Sequence, residues 1–153
     1  MELSTVCKKY LPLSFAFLLA SCCKTEETEY SLSEFWDCRQ QDRQDSAELH
    51  QALLGRWEWD FVRCYWPPEK ANSHEYRGLQ IHIVDPDSLE VLQIRVAIQT
   101  SKWKLVPTDG SFYKIEADPP VDPFQGRILR CQNRIVFNAS YFDGCDHFFH
   151  KKE

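Results

Sequence analysis

From Gly55 onward, apolar and polar residues alternate with a period of two, and this alternation constrains the fold more than any other feature. In the first such segment Trp57, Trp59 and Phe61 fall on one side, with acidic residues between them. Short stretches rich in Pro, Asp, Asn and Gly separate the segments. Consecutive strands joined by short turns favour an antiparallel meander over a parallel sheet with crossover helices.

The alternation predicts eight short strands, at 56–65, 78–84, 89–99, 102–106, 111–117, 124–131, 134–138 and 145–152. In the third, Ile94 shares a face with Leu92, Val96 and Ile98. Closing such a meander into a barrel removes its exposed edges. A β-sandwich is the alternative, and it requires long crossovers, for which 66–77 and 118–123 are the candidates. We expect a mainly β domain over 55–153, an eight-stranded antiparallel up-and-down barrel.

Residues 31–54 precede the strands and are predicted to form one or two short helices. Ser31 begins a capping-box sequence, and Asp45 or Ser46 is suited to cap a second helix. Gly55 stands where that helix should end.

The N-terminus carries the parts of an export signal. Two lysines precede the apolar stretch 10–20, which is shorter than the ~20 apolar residues that a membrane-spanning helix needs. The stretch closes on Leu19-Ala20-Ser21-Cys22, which resembles the lipobox of bacterial lipoproteins. The resemblance implies cleavage before Cys22 and lipidation of that residue with acyl chains such as palmitate. An ordinary secretory peptide and a buried core helix are the alternatives.

This resemblance divides the chain into a signal peptide (1–21), a lipidated tether (22–30), a helical segment (31–54) and the β domain (55–153). Cys22-Cys23-Lys24 and the acidic residues after it resemble signals that send lipoproteins to the outer membrane; a solvated tether is the alternative. We expect the protein in the cell envelope, attached to the membrane through Cys22, at the outer membrane in preference to the inner.

The formal net charge of −5 argues against nucleic-acid binding, which needs a clustered positive patch. It also argues against electrostatic docking on an anionic membrane surface.

Seven cysteines are present; export would remove Cys7, and lipid would occupy Cys22. The five others are Cys23, Cys38, Cys64, Cys131 and Cys145. An oxidising compartment favours disulfides, and the odd number leaves at least one thiol unpaired or paired between molecules. Zinc is disfavoured, because no two of these five lie within ten residues of each other.

Gly55-Arg56-Trp57, just after a predicted helix, resembles the Gly-x-Trp motif of lipocalins. The chain is similar to small lipocalin-like bacterial lipoproteins, which begin the domain with Leu-x-Gly-x-Trp and end it with Asp-Gly, a strand and a basic tail. The resemblance implies structural roles for Gly55 and Trp57, with Trp57 plugging the closed end of the barrel. It also implies a basic residue stacked on that ring, for which the candidates are Arg127, Arg130 and Arg134.

A closed barrel pairs its first and last strands. If Trp57 lies opposite Lys151, Cys64 falls opposite Gly144, one residue from Cys145. We therefore expect a Cys64–Cys145 disulfide along this strand pair. A buried, unpaired thiol at Cys64 is the alternative, and Cys38–Cys131 is the second candidate pair.

No residue set typical of an active site is found in the sequence: it lacks a Gly-x-Ser-x-Gly elbow, a phosphate-binding loop and a His-Glu-x-x-His motif. His147 and His150 lie three residues apart on a predicted strand, so their rings should face opposite sides and not share a metal ion. We expect no enzyme activity, no metal and no cofactor.

The many aromatic residues either fill the core or line a cavity for a small apolar ligand. The conceivable lining residues are Trp59, Phe61, Ile94 and Tyr113. The expected function is that of an envelope lipoprotein that binds such a ligand in a lipocalin-like barrel.

The alternative function is a protein-interaction module, either an inhibitor of a hydrolase or an accessory subunit of an envelope complex. It would dock through the loops 66–77 and 118–123. Its expected anchors are Trp66, Tyr76 and Phe124.

Overall fold

A computed structural model describes residues 31–41, 45–65, 74–84 and 86–153. The predicted signal peptide, the tether, Cys22 and Trp66 lie outside the described residues. The helices are α1 (Leu32–Gln41) and α2 (Ser46–Leu53), with short 3₁₀ helices at Asp109–Ser111, Asp122–Phe124 and Ser140–Phe142. The strands are β1 (Gly55–Cys64), β2 (Leu79–Val84), β3 (Ser88–Gln93), β4 (Val96–Pro107), β5 (Tyr113–Asp118), β6 (Arg127–Cys131), β7 (Arg134–Asn138) and β8 (Cys145–Lys151).

The eight strands form one antiparallel sheet in the order β5-β4-β3-β2-β1-β8-β7-β6. The sheet curls into a nearly closed barrel, which confirms the predicted fold class. Its two edge strands, β5 and β6, face each other across a seam. The end of the barrel at which β1 finishes and β2 begins is called the mouth below, and the opposite end is called the closed end.

Two apolar clusters lie on the two faces of the barrel wall. Neighbouring residues of one strand alternate between them, as Ile135 and Phe137 join the inner cluster and Val136 the outer one. The outer cluster is covered by Phe35 of α1, whose ring meets that of Phe148 edge-on at 5.8 Å. The expected Cys38–Cys131 disulfide is present and fastens α1 to β6.

Helix α2 covers the closed end of the barrel. The Asp45 side chain caps this helix by accepting a hydrogen bond from the Glu48 backbone N–H at 2.8 Å. Trp57 is 1% exposed, and its Nε1 donates to the Leu53 carbonyl at 2.7 Å. The cation over the Trp57 ring is Lys151, with Nζ 5.3 Å from the ring centre, rather than one of the three arginines proposed from the sequence.

The pairing of β1 with β8 follows the predicted register, since Trp57 lies opposite Lys151. A β-bulge between Trp59 and Phe61 then shifts the register by one residue, so that Cys64 faces Cys145. These two cysteines form the expected disulfide.

The same bulge corrects one prediction. The extra residue at Asp60 turns Phe61 away from the barrel interior, where Trp57 and Trp59 lie, and into the outer cluster. There its ring stacks on Phe148 at 4.3 Å. Phe61 therefore lines no interior ligand site.

A second correction concerns the predicted strand 89–99. The chain reverses at Ile94 and Arg95, both with positive φ (50° and 67°), and forms a β3–β4 hairpin. Ile94 is 76% exposed at the tip of this hairpin, far from any interior lining. The predicted strand at 102–106 is the second half of β4.

Among the described residues, no helix has the length and apolar character needed to span a membrane.

Candidate functional site

Four side chains meet at the mouth of the barrel, and we call them the mouth cluster: the half-buried Trp59 of β1 and Tyr76 of the segment before β2, the buried His147 of β8, and the exposed Asp122 of a 3₁₀ helix. The Tyr76 ring lies between the others. Its centre is 5.6 Å from that of Trp59 and 4.7 Å from that of His147, which it meets edge-on.

The alternation of β8 places His147 on the inner face, on the same side as Phe149. The side chain is 6% exposed, and burial lowers the pKa of His147 from 6.5 to about 4, against a smaller opposing effect of the Asp122 charge. The imidazole is therefore neutral at pH 7. It offers one N–H donor and one nitrogen acceptor.

Two buried ring nitrogens of the mouth cluster lack hydrogen-bond partners. Within the described part of the chain, neither Trp59 Nε1 nor His147 Nδ1 has a partner. Buried polar atoms are paired in the great majority of proteins, and an unpaired one costs about 1–3 kcal/mol. The two side chains that carry these nitrogens both contact the Tyr76 ring.

Tyr76 and Asp122 are joined across the mouth by a hydrogen bond of 2.5 Å from the phenol to Oδ2. Gln125 donates to the other carboxylate oxygen at 3.1 Å. Burial, followed by the bond to Asp122, raises the pKa of Tyr76.

Of the residues that the sequence suggested as ligand-lining, Trp59 lies in the mouth cluster. Tyr113 packs against the inner core and borders a void of about 10 Å³, which is no larger than one water. The sequence assigned neither His147 nor Asp122 a binding role. The sequence does indicate that His147 faces the barrel interior, because His147 lies on the same side of its strand as the apolar Phe149.

A second feature is a groove beside the edge strand β5, lined also by the segment 120–126 that leads into β6, and called the seam groove below. It consists of two open hollows of about 600 Å³ and 440 Å³ that share Ile115, Phe124 and Gln125. Tyr141 and Phe142, 45% and 51% exposed, lie at its edge. The expected partner anchors differ from these: Phe124 is 5% exposed, and Tyr76 is engaged in the mouth cluster.

His147 and His150 face opposite sides of β8, as their spacing predicts. His147 lies in the barrel, whereas His150 Nδ1 contacts Asp60 Oδ1 at 2.6 Å on the outer wall. No group of three or more metal-ligating side chains occurs among the described residues.

Comparison of the chain with protein-family models, with curated proteins and with solved structures found no match.

Proposed function

We propose that this protein is a lipid-anchored envelope protein whose barrel binds a small, mainly apolar molecule at the mouth cluster. The observation that carries the ligand proposal is the pair of buried nitrogens, Trp59 Nε1 and His147 Nδ1, without partners in the described part of the chain. A bound molecule with a hydrogen-bonding group would satisfy both.

The chemistry of the cluster narrows the class of ligand. Trp59 Nε1 is a donor only, so the ligand must present an acceptor such as a carbonyl or hydroxyl oxygen. The neutral imidazole and the neighbouring Asp122 carboxylate disfavour an anionic head group. Aromatic residues of the inner core, Phe124 and Phe137, favour an apolar body. We therefore expect a neutral molecule with one or two polar oxygens.

The ligand proposal is tested by thermal denaturation with a neutral-lipid extract of the host envelope. The protein is first unfolded in urea and refolded, with its disulfides intact, to release bound molecules. The extract should raise the unfolding midpoint by several degrees. His147→Phe should abolish the shift. His50→Phe is the matched control, because His50 stacks on Trp103 at the closed end, with ring centres 4.8 Å apart. An unchanged midpoint in the unsubstituted protein, or equal shifts in both variants, would refute the proposal.

The proposed anchor rests on the lipobox-like Leu19-Ala20-Ser21-Cys22. Labelled palmitate should be incorporated into the protein in its host, and Cys22→Ser should abolish the labelling. Labelling that survives this substitution would overturn the assignment of the lipid to Cys22. Fractionation of the envelope would then decide between the outer membrane, which we favour, and the inner.

A protein partner is the second candidate, and the seam groove favours it. Edge strands present unpaired backbone groups to which an extended segment can add. The exposed rings of Tyr141 and Phe142 stand beside these edges. A photo-crosslinking residue at position 142 should then yield one adduct of defined mass in cells, and the same residue at Val84 should not. Absence of the adduct, or the same adduct at both positions, would refute this candidate.

A further inference from the structure

The tip of the β3–β4 hairpin exposes a cluster of aliphatic side chains. Ile94, Val96 and Ile98 are 76%, 64% and 57% exposed. The tip projects at the mouth end of the barrel, because Gln93 pairs with Leu79, the first residue of β2. Exposed apolar side chains grouped on one projecting hairpin are typical of a contact surface.

The backbone at the tip is strained in a way that the fold does not require. Ile94 and Arg95 have φ values of 50° and 67°, which two-residue hairpin turns satisfy with Asn-Gly or similar pairs. A β-branched residue in this region is an outlier. The Ile94 backbone N–H bonds to the Gly78 carbonyl at 3.0 Å, a contact that any residue but proline would make. Neither the turn nor this hydrogen bond therefore calls for an isoleucine at position 94.

Two arginines lie at the tip, although the chain as a whole is acidic. Arg95 is in the turn, and Arg77 is held beside it, since the Gln93 side chain bonds the Glu75 carbonyl at 2.9 Å and reaches toward that of Arg77 at 3.5 Å. Both arginine side chains are exposed, as is that of Glu75. Arginines flanking aliphatic side chains match the phosphate groups and acyl chains of a phospholipid surface.

The anchor would hold the tip close to such a surface. Eight residues lie between Cys22 and Ser31, where the described chain begins, so these two residues are at most about 30 Å apart. A tether this short keeps the barrel at a high effective concentration beside the bilayer, so a weak contact suffices. We infer that the hairpin tip of Ile94, Arg95, Val96 and Ile98 docks on the phospholipid surface to which the chain is anchored, an inference that rests on the proposed lipidation.

The test uses tryptophan as a depth probe in the full, lipidated protein on vesicles of neutral phosphatidylethanolamine and phosphatidylcholine. Val96→Trp places the probe on the tip, and Val84→Trp is the matched control at the closed end, where Val84 is 37% exposed. The fluorescence that each substitution adds is measured with and without lipids brominated near the head group. The Val96→Trp signal should fall at least twofold and the Val84→Trp signal should stay unchanged. Adding Ile94→Asn, which suits the positive φ, should restore most of the Val96→Trp signal.

Each outcome decides one point. Equal quenching of the two probes on vesicles that carry the protein refutes the docking and leaves the anchor intact. Quenching at Val96→Trp that Ile94→Asn leaves unchanged refutes the role of Ile94. A protein that carries no lipid and fails to float with the vesicles refutes the anchor, and the docking inference with it.

Discussion

Acidification should weaken the fold through one buried side chain, His147. Burial lowers the pKa of His147 from 6.5 to about 4 in the folded protein, while in the unfolded chain it stays near 6.5. Between these two values the unfolded chain binds one proton more than the folded protein, so the free energy of unfolding falls as the pH falls. The stabilisation is complete above 6.5 and is lost as the pH approaches about 4. At about 1.4 kcal/mol per pH unit, the loss is about 3 kcal/mol.

Urea denaturation with intact disulfides, from about pH 7.5 to pH 4, measures this effect in the unsubstituted protein and in His147→Phe. Other titrating groups, among them Asp60, whose pKa burial raises, act equally in both proteins. The unsubstituted protein should therefore lose about 3 kcal/mol more than the variant. His147→Phe should also be the more stable of the two at low pH. An equal pH dependence in both proteins would refute the assignment of a buried neutral imidazole in the barrel.

Substitutions at three further sites test the frame of the barrel: the Cys64–Cys145 disulfide, Gly126 and Asp146. Replacing Cys64 and Cys145 by alanine opens a loop of 81 residues and should lower the free energy of unfolding by about 4 kcal/mol in urea denaturation. No loss would contradict a stabilising disulfide between β1 and β8. Gly126 has a φ of +90°, and Gly126→Ala would place a Cβ 1.9 Å from the Asn138 carbonyl oxygen. The substitution should therefore lower the free energy of unfolding by about 3 kcal/mol. An unchanged melting temperature would rule out this close packing of β6 on β7. Asp146 is fully buried, and its Oδ1 accepts hydrogen bonds from the Asn138 side-chain amide and from two backbone N–H groups. Asp146→Ala should therefore lower the free energy of unfolding by about 3 kcal/mol, and Asp146→Asn, which keeps an acceptor oxygen, by clearly less. Equal losses in the two variants would show that the acceptor oxygen is unimportant.

The pairing of β1 with β8 could be predicted from the sequence because a closed barrel pairs its first strand with its last. Placing Trp57 opposite Lys151 brought Cys64 within one residue of Cys145. The remaining offset of one residue comes from the β-bulge at Asp60. The alternation does not reveal this bulge, because Trp59 and Phe61 both fit the pattern of inward-facing residues. A bulge is set by local geometry that composition does not record.

The β3–β4 turn escaped prediction for a different reason. Turns with positive φ are recognised by Gly, Asn or Asp, and this one is built from Ile94 and Arg95. The alternation of apolar residues continues through the reversal, so the two strands look like one. Where local chemistry and the fold disagree in this way, function is the usual reason.

The mouth cluster could not be assembled from the sequence, because Tyr76, Asp122 and His147 come from three separate segments. The alternation of β8 places His147 inside the barrel, but its neighbours depend on where the loop and the 3₁₀ helix fold over the mouth. Of the four side chains, Trp59 was accessible as a lining residue, since it follows Trp57 on the inner face of β1.

The central claim is that the barrel holds a small neutral molecule at Trp59 and His147. Native mass spectrometry of the protein extracted from its host in mild detergent tests this most directly. A molecule bound at Trp59 and His147 should add, beyond the mass of the lipidated chain, an excess of a few hundred daltons that disappears on denaturation and is absent in His147→Phe. A native mass equal to that of the denatured, lipidated chain would contradict it.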